Sequence, residues 1–112
     1  MSRSDRLYLE DIKTSCEKVV QYVEGTTYEQ FVADRKTLDA VAHNLVIIGE
    51  AVNHLPERII EGNPDVEWHR IIGLRNLVVH GYFGMDDEII WDVTQKHVPR
   101  LLLHVEEILA GI

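Results

Sequence analysis

One cysteine in 112 residues excludes an internal disulfide, and without a second thiol the zinc-finger and Cys-x-x-Cys readings fall away. Cys16 is therefore expected to serve as a small buried apolar residue. No apolar run approaches the roughly 20 residues that span a bilayer. The opening MSRSDRLYLED also carries no apolar stretch of the secretory kind. A soluble cytoplasmic protein without a membrane partner is the expectation. Basic residues are scarce as well: 11 Lys and Arg stand against 19 Asp and Glu, a formal charge of −8. Such a balance repels a phosphate backbone unless cations are gathered locally, which argues against a broad electrostatic nucleic-acid binder. Repeats, low-complexity tracts and charge blocks are missing too.

What remains is ordinary globular material, with 46% hydrophobic and 27% charged residues. The length is near the mode for one domain, so a single core over residues 1–112 is expected. The acidity is uneven. Residues 64–84 set Arg70 and Arg75 against Asp65 and Glu67 and add His69 and His80, whereas residues 85–112 carry six acids against Lys96 and Arg100. The near-neutral, His-rich segment is the one to watch.

The spacing is helical throughout, with glycines and prolines read as punctuation between helices. From about Ser4 to Glu24, Leu9, Ile12, Cys16, Val19, Val20 and Val23 fall on one face, and Gly25 provides a stop. Thr27 and Gln30 have capping-box spacing, predicting a short helical turn over Tyr28 to Ala33. From about Asp34 to Leu55, Leu38, Val41, Leu45, Ile48, Val52 and Leu55 repeat at heptad spacing until Pro56 blocks continuation. This second helix is expected to pack antiparallel to the first. PERIIEGNPD, residues 56–65, reads as a loop ending in a possible Asp65 cap. A third helix follows from about Val66 to His80, closed by Gly81 and Gly84. A fourth runs from about Asp86 to Leu109, with Trp91, Val98 and Val105 beside Leu101, Leu102 and Ile108. The expected fold class is all-α, an up-down four-helix bundle with a possible short extra helix.

At 100° per residue, Trp68, Ile71, Arg75, Val78 and Tyr82 share one stripe of the third helix, with His69, Asn76 and His80 roughly opposite. Arg75 thus stands in the middle of an apolar face, and a buried guanidinium needs a carboxylate, phosphate or polar network to answer it. Glu50 on the second helix is a candidate partner, in a plain internal ion pair. His80 precedes the terminal glycine, where the negative end of the helix dipole favours the imidazolium and suits proton transfer near neutral pH, although a helix-end His also serves simply as a cap. Tyr82 reads as core packing with a wet hydroxyl. On the second helix, His43, Glu50 and His54 share a face, but they lack the Glu-x-x-His pairs of carboxylate-bridged bundle sites, so no metal is expected.

The run Arg75-Asn76-Leu77-Val78-Val79-His80-Gly81-Tyr82 resembles the R-x4-H-x-Y signature, with a polar residue directly after the Arg, of HEPN-domain proteins, and it looks like their HepT-like branch. Asn44-Leu45-Val46-Ile47-Ile48-Gly49-Glu50-Ala51, the Trp68 and Ile71 lead-in to Gly73-Leu74-Arg75, and the acidic opening of the fourth helix near Trp91 are similar to that branch too. The resemblance implies a homodimer of four- or five-helix protomers with motifs facing across a composite cleft. It implies a metal-independent ribonuclease without cofactor, commonly a toxin, encoded beside a nucleotidyltransferase antitoxin. Arg75 and His80 would be catalytic, the Arg stabilising phosphorane charge and the His shuttling the proton. Asn76 and Glu50 would support them, and Tyr82 would contact RNA and accept AMP from the partner. Transfer RNA is the family-level guess for substrate. The alternative is a non-catalytic HEPN module that binds a nucleotide or docks the nucleotidyltransferase, a reading that the charge of −8 favours.

Overall fold

The computed structural model describes residues 3–81 and 86–112, and among them every regular element is helical. In chain order these are α1 (Arg3–Val23), α2 (Tyr28–Ala33), α3 (Arg35–Asn53), α4 (Glu57–Gly62), α5 (Trp68–Gly81), α6 (Asp87–Asp92), a π-helical turn (Val93–His97) and α7 (Val98–Ala110). The all-α expectation is met. No described helix is long and apolar enough to cross a membrane.

The heptad stripe of the second predicted helix is the spine of the core, since Leu38, Val41, Leu45, Ile48, Val52 and Leu55 are all buried. Helix α3 packs against both α1 and α5, and α7 closes on α1. Helix α1 contributes Leu9, Ile12, Cys16, Val19 and Val23 to the same core. Fully burying a side chain of this kind contributes about 1.5–3 kcal/mol, so the i, i+3/i+4 stripes are what hold these helices together. Burial pushes the Cys16 thiol up to about 12, with the Glu17 charge adding to the effect, so it stays protonated and serves as packing.

Gly25 ends α1 in the left-handed region, at φ +71. The capping box then forms as its spacing predicts: Gln30 donates its backbone N–H to Thr27 Oγ1 at 3.2 Å, and Thr27 donates to Gln30 Oε1 at 3.0 Å. Buried Phe31 and the Tyr28 ring both meet Trp91, so this short helix is pinned on α6. Thr27→Ala removes one half of the box and is expected to cost about 1 kcal/mol. Thermal denaturation followed by circular dichroism should register this as a drop of several degrees.

Three expectations are corrected. Residues 56–65 are not simply a loop, because Glu57–Gly62 form α4, whose Ile59 reaches the core. Asn63 Nδ2 donates to the Ile59 carbonyl at 2.8 Å, and Trp68 Nε1 donates to the Asn63 carbonyl at 3.0 Å, tying this short helix to the start of α5. Glycine and proline are not confined to the gaps either, since Gly49, Gly73 and Pro99 lie inside helices. Lastly, the fourth helix is not uniform. Pro99 has no N–H to give and its ring clashes with the carbonyl four residues back. The chain accommodates it by widening into the π-helical turn just before α7.

Candidate functional site

Helix α5 carries Arg75, Asn76 and His80, and its packing on α3 decides how Arg75 is presented. At the crossing, α3 has Gly49. A Cβ there would sit 3.2 Å from the Arg75 backbone nitrogen, 3.3 Å from Arg75 Cβ and 3.3 Å from the Ile71 carbonyl oxygen. Glycine is what lets the two backbones approach this closely. The next residue, Glu50, then lies directly opposite Arg75, and the two form an ion pair through Arg75 Nε and Glu50 Oε1.

Arg75 is not in the middle of a buried face. Its side chain is 51% exposed and that of Glu50 44%, while Trp68, Ile71, Leu74 and Val78 bury the inward side of α5. The 100° arithmetic places Arg75 within that stripe, but in the structure it lies at the margin of the α3 contact, where the Glu50 carboxylate meets it. A pair this exposed contributes under about 1 kcal/mol. Its chemical consequence is larger: the guanidinium is held by one edge, and its remaining N–H donors have no partner among the described residues.

Asn76 is exposed on the next position. His80 lies in the last turn of α5, which continues to Gly81. In helical register it stands about 140° from Arg75, five residues on. The His80 side chain and Tyr82 lie outside the described residues, so the structure brings together Arg75 and Glu50 and places Asn76 beside them. Val79, also on α5, is 50% exposed.

The other candidate cluster separates into different contacts. His54 Nδ1 donates to the Glu50 carbonyl oxygen at 2.8 Å, and its ring stacks on Tyr8 with centroids 5.2 Å apart. Glu50 turns to Arg75, and His43 is exposed. Among the described residues no group of three His, Cys, Asp or Glu side chains is arranged to hold a metal ion.

Two basic residues escaped the sequence reading. Arg100 and His104, one turn apart on α7, border a cleft between α7 and α5. Their signal was an i, i+4 pair without acids to match, hidden within a segment judged acidic as a whole.

Comparison with known proteins covers nearly the whole chain. A family model described as Ribonuclease HepT-like matches residues 12–108. A Caldanaerobacter subterraneus subsp. tengcongensis protein, named as a candidate RNase, is 40% identical over 107 residues, covering 96% of this chain and 96% of its own length. A Methanocaldococcus jannaschii protein, likewise named as a candidate RNase, is 38% identical over 107 residues, or 96% of this chain and 88% of its own. A Thermococcus cleftensis protein named "Probable ribonuclease HepT" is 34% identical over 101 residues, covering 90% and 92% of the two chains. No solved structure matches.

Proposed function

The chain belongs to the HepT-like ribonuclease family, and we propose that it is a metal-independent endoribonuclease toxin whose cleft forms between two copies of the chain. The observation that carries this reading is the presentation of Arg75. It is half exposed, fixed on one edge by Glu50, and set on the same helix as His80.

The chemistry follows from the residue types. His80 takes the proton from an RNA 2′-hydroxyl, the 2′ oxygen attacks the adjacent phosphorus, and the P–O5′ bond breaks. The proton returns to the departing 5′ oxygen, leaving a 2′,3′-cyclic phosphate and a 5′-hydroxyl. Histidine is the motif residue that titrates near neutral pH. Arg75 directs its free donors at the phosphorane oxygens, where charge develops. Glu50 is a positioning residue that orients the guanidinium. Asn76, four residues from His80 on one helix, orients His80 or the scissile phosphate.

A second copy supports this arrangement on two counts. The 140° between Arg75 and His80 makes it hard for one helix to aim both at one phosphate, and a two-fold axis offers each from either protomer. The exposed Val79 on α5 also gives such a partner an apolar contact near the motif.

A nucleotidyltransferase antitoxin completes the reading by attaching AMP to Tyr82. The added phosphate and bulk exclude RNA from the cleft. Tyr82→Phe is expected to abolish the mass gain of one adenylyl group on incubation with that partner and ATP, and an unchanged gain would move the acceptor elsewhere. The second reading, a nucleotide-binding or nucleotidyltransferase-docking module without cleavage, draws on the net charge of −8. Purified, unmodified protein incubated with total RNA in EDTA separates the two. Fragments with cyclic-phosphate ends support the ribonuclease, and intact RNA supports the module.

A further inference from the structure

A cleft of about 290 Å³ separates α5 from the π-helical turn and α7. Leu74 and Leu77 line it from one wall and Val93 and Leu101 from the other, so its interior is apolar. The charged residues around it are not equivalent. Arg70 is 3.5 Å from Glu67, and His97 is 3.8 Å from Asp92, whereas Arg100 and His104 have no hydrogen-bond or ion-pair partner among the described residues. Asp65 and Glu67 line the cleft as well, and Glu67 is taken up by Arg70.

Gly73 adds an independent observation. It lies mid-helix in α5 and lines the same cleft, yet an added Cβ meets nothing within 4 Å. A helix-interior glycine costs about 1 kcal/mol relative to alanine. At Gly49 the neighbouring helix explains the glycine. At Gly73 nothing among the described residues does, so among them the space over the α5 backbone is open.

The space suits a small flat body with an anion beside it. Its volume is near the low end of the range for ligand clefts. An unstacked nucleobase presents an apolar face to such walls, and its phosphate presents the charge that Arg100 and His104 lack. Arg100 suits this doubly, because its planar fork grips phosphate or stacks on a base. Seven residues of helix, about 10 Å of rise, separate Gly73 from His80, a distance of the order of one nucleotide's length.

We propose that the α5–α7 cleft is a nucleotide subsite, taking an unstacked base of single-stranded RNA next to the scissile phosphate, with Arg100 and His104 on the flanking phosphate. The proposal rests on the ribonuclease reading for its place in the reaction, and its test is chosen to stand apart from cleavage. A short fluorescein-labelled oligouridylate, 2′-O-methylated throughout so that it cannot be cut, reports binding by anisotropy over a range of salt. Arg100→Gln and His104→Gln are each expected to weaken binding about ten-fold. Arg100→Gln should also flatten the slope of log affinity against log salt by about 0.7. Gly73→Leu, which puts a branched side chain into the cleft where an added Cβ meets no neighbour, should weaken binding to a similar degree and leave that slope unchanged. Circular dichroism and sedimentation should match the parent for all three.

Affinities and slopes equal to the parent's would overturn the subsite, and if the parent still cuts ordinary RNA, the ribonuclease reading stands without it. A parent that binds the probe through Arg100 but cuts no RNA would overturn the ribonuclease and keep the subsite on a binding module. A change of oligomeric mass in Gly73→Leu, with probe affinity retained, would show that the cleft is a contact between copies and would also overturn the proposal.

Discussion

Arg75→Ala and His80→Ala are each expected to reduce RNA cleavage in EDTA by a factor of about 100 or more. Removing a positioned general acid-base loses roughly 10²–10⁴ in rate, and removing a preorganised donor to developing charge loses about 10²–10³. The two variants should differ in one respect. Arg75→Ala leaves Glu50 without its partner, but both side chains are half exposed, so the fold should lose under about 1 kcal/mol and melt close to the parent. Gel analysis of total RNA, with the 3′ ends of the fragments resolved, reads the activity, and circular dichroism reads the fold. Cleavage that persists in either variant would remove that residue from the mechanism. Cleavage lost together with the helical signal would assign it to the structure instead.

The second large effect concerns Gly49. Alanine there gains up to about 1 kcal/mol of helix propensity but places its Cβ 3.2–3.3 Å from two backbone atoms and one Cβ, which have little freedom to yield. The two effects are of opposite sign, so Gly49→Ala should melt near the parent. Gly49→Val adds two more carbons in the same gap. It is expected to lose about 2 kcal/mol through overpacking, a drop on the order of 10 °C. Because the clash falls on Arg75's own backbone, the valine variant should also lose cleavage out of proportion to its stability, as α3 and α5 move apart and Glu50 no longer faces the guanidinium. An unchanged melting temperature for Gly49→Val would show that the helices are free to separate, and that the glycine is not what sets the Glu50–Arg75 geometry.

Much of this was legible in the sequence because helical packing follows from local spacing. The six-residue stripe from Leu38 to Leu55 specified one buried face, and every member is buried. The Thr27–Gln30 box formed because both its hydrogen bonds lie within four residues of chain. Helix α4 was harder to see. Its Glu57–Gly62 segment is short, lies between two prolines and gains its order from Ile59 in the core and from the Asn63–Trp68 link. The π-helical turn was missed for a related reason: Pro99 was counted as punctuation, whereas its neighbours are held in a helix by the packing of Val98 and Leu101. In the candidate site, the residue types and the 75–80 spacing were visible, and Glu50 was weighed as the Arg75 partner. The exposure of Arg75 was misjudged because a helical wheel gives an angle but not where the neighbouring helix ends.

The sequence by itself determined the helical class, the buried stripes, the cap at Thr27 and the residues proposed to carry the chemistry, since each depends on side-chain type and on spacing within a few residues. Only the tertiary structure decided that Arg75 lies half in solvent against Glu50, that Gly49 is closely covered while Gly73 is open, and that Arg100 and His104 border an apolar cleft. Those properties belong to surfaces made by two helices far apart in the chain, and the approach of two such surfaces is set by the packing of the whole core.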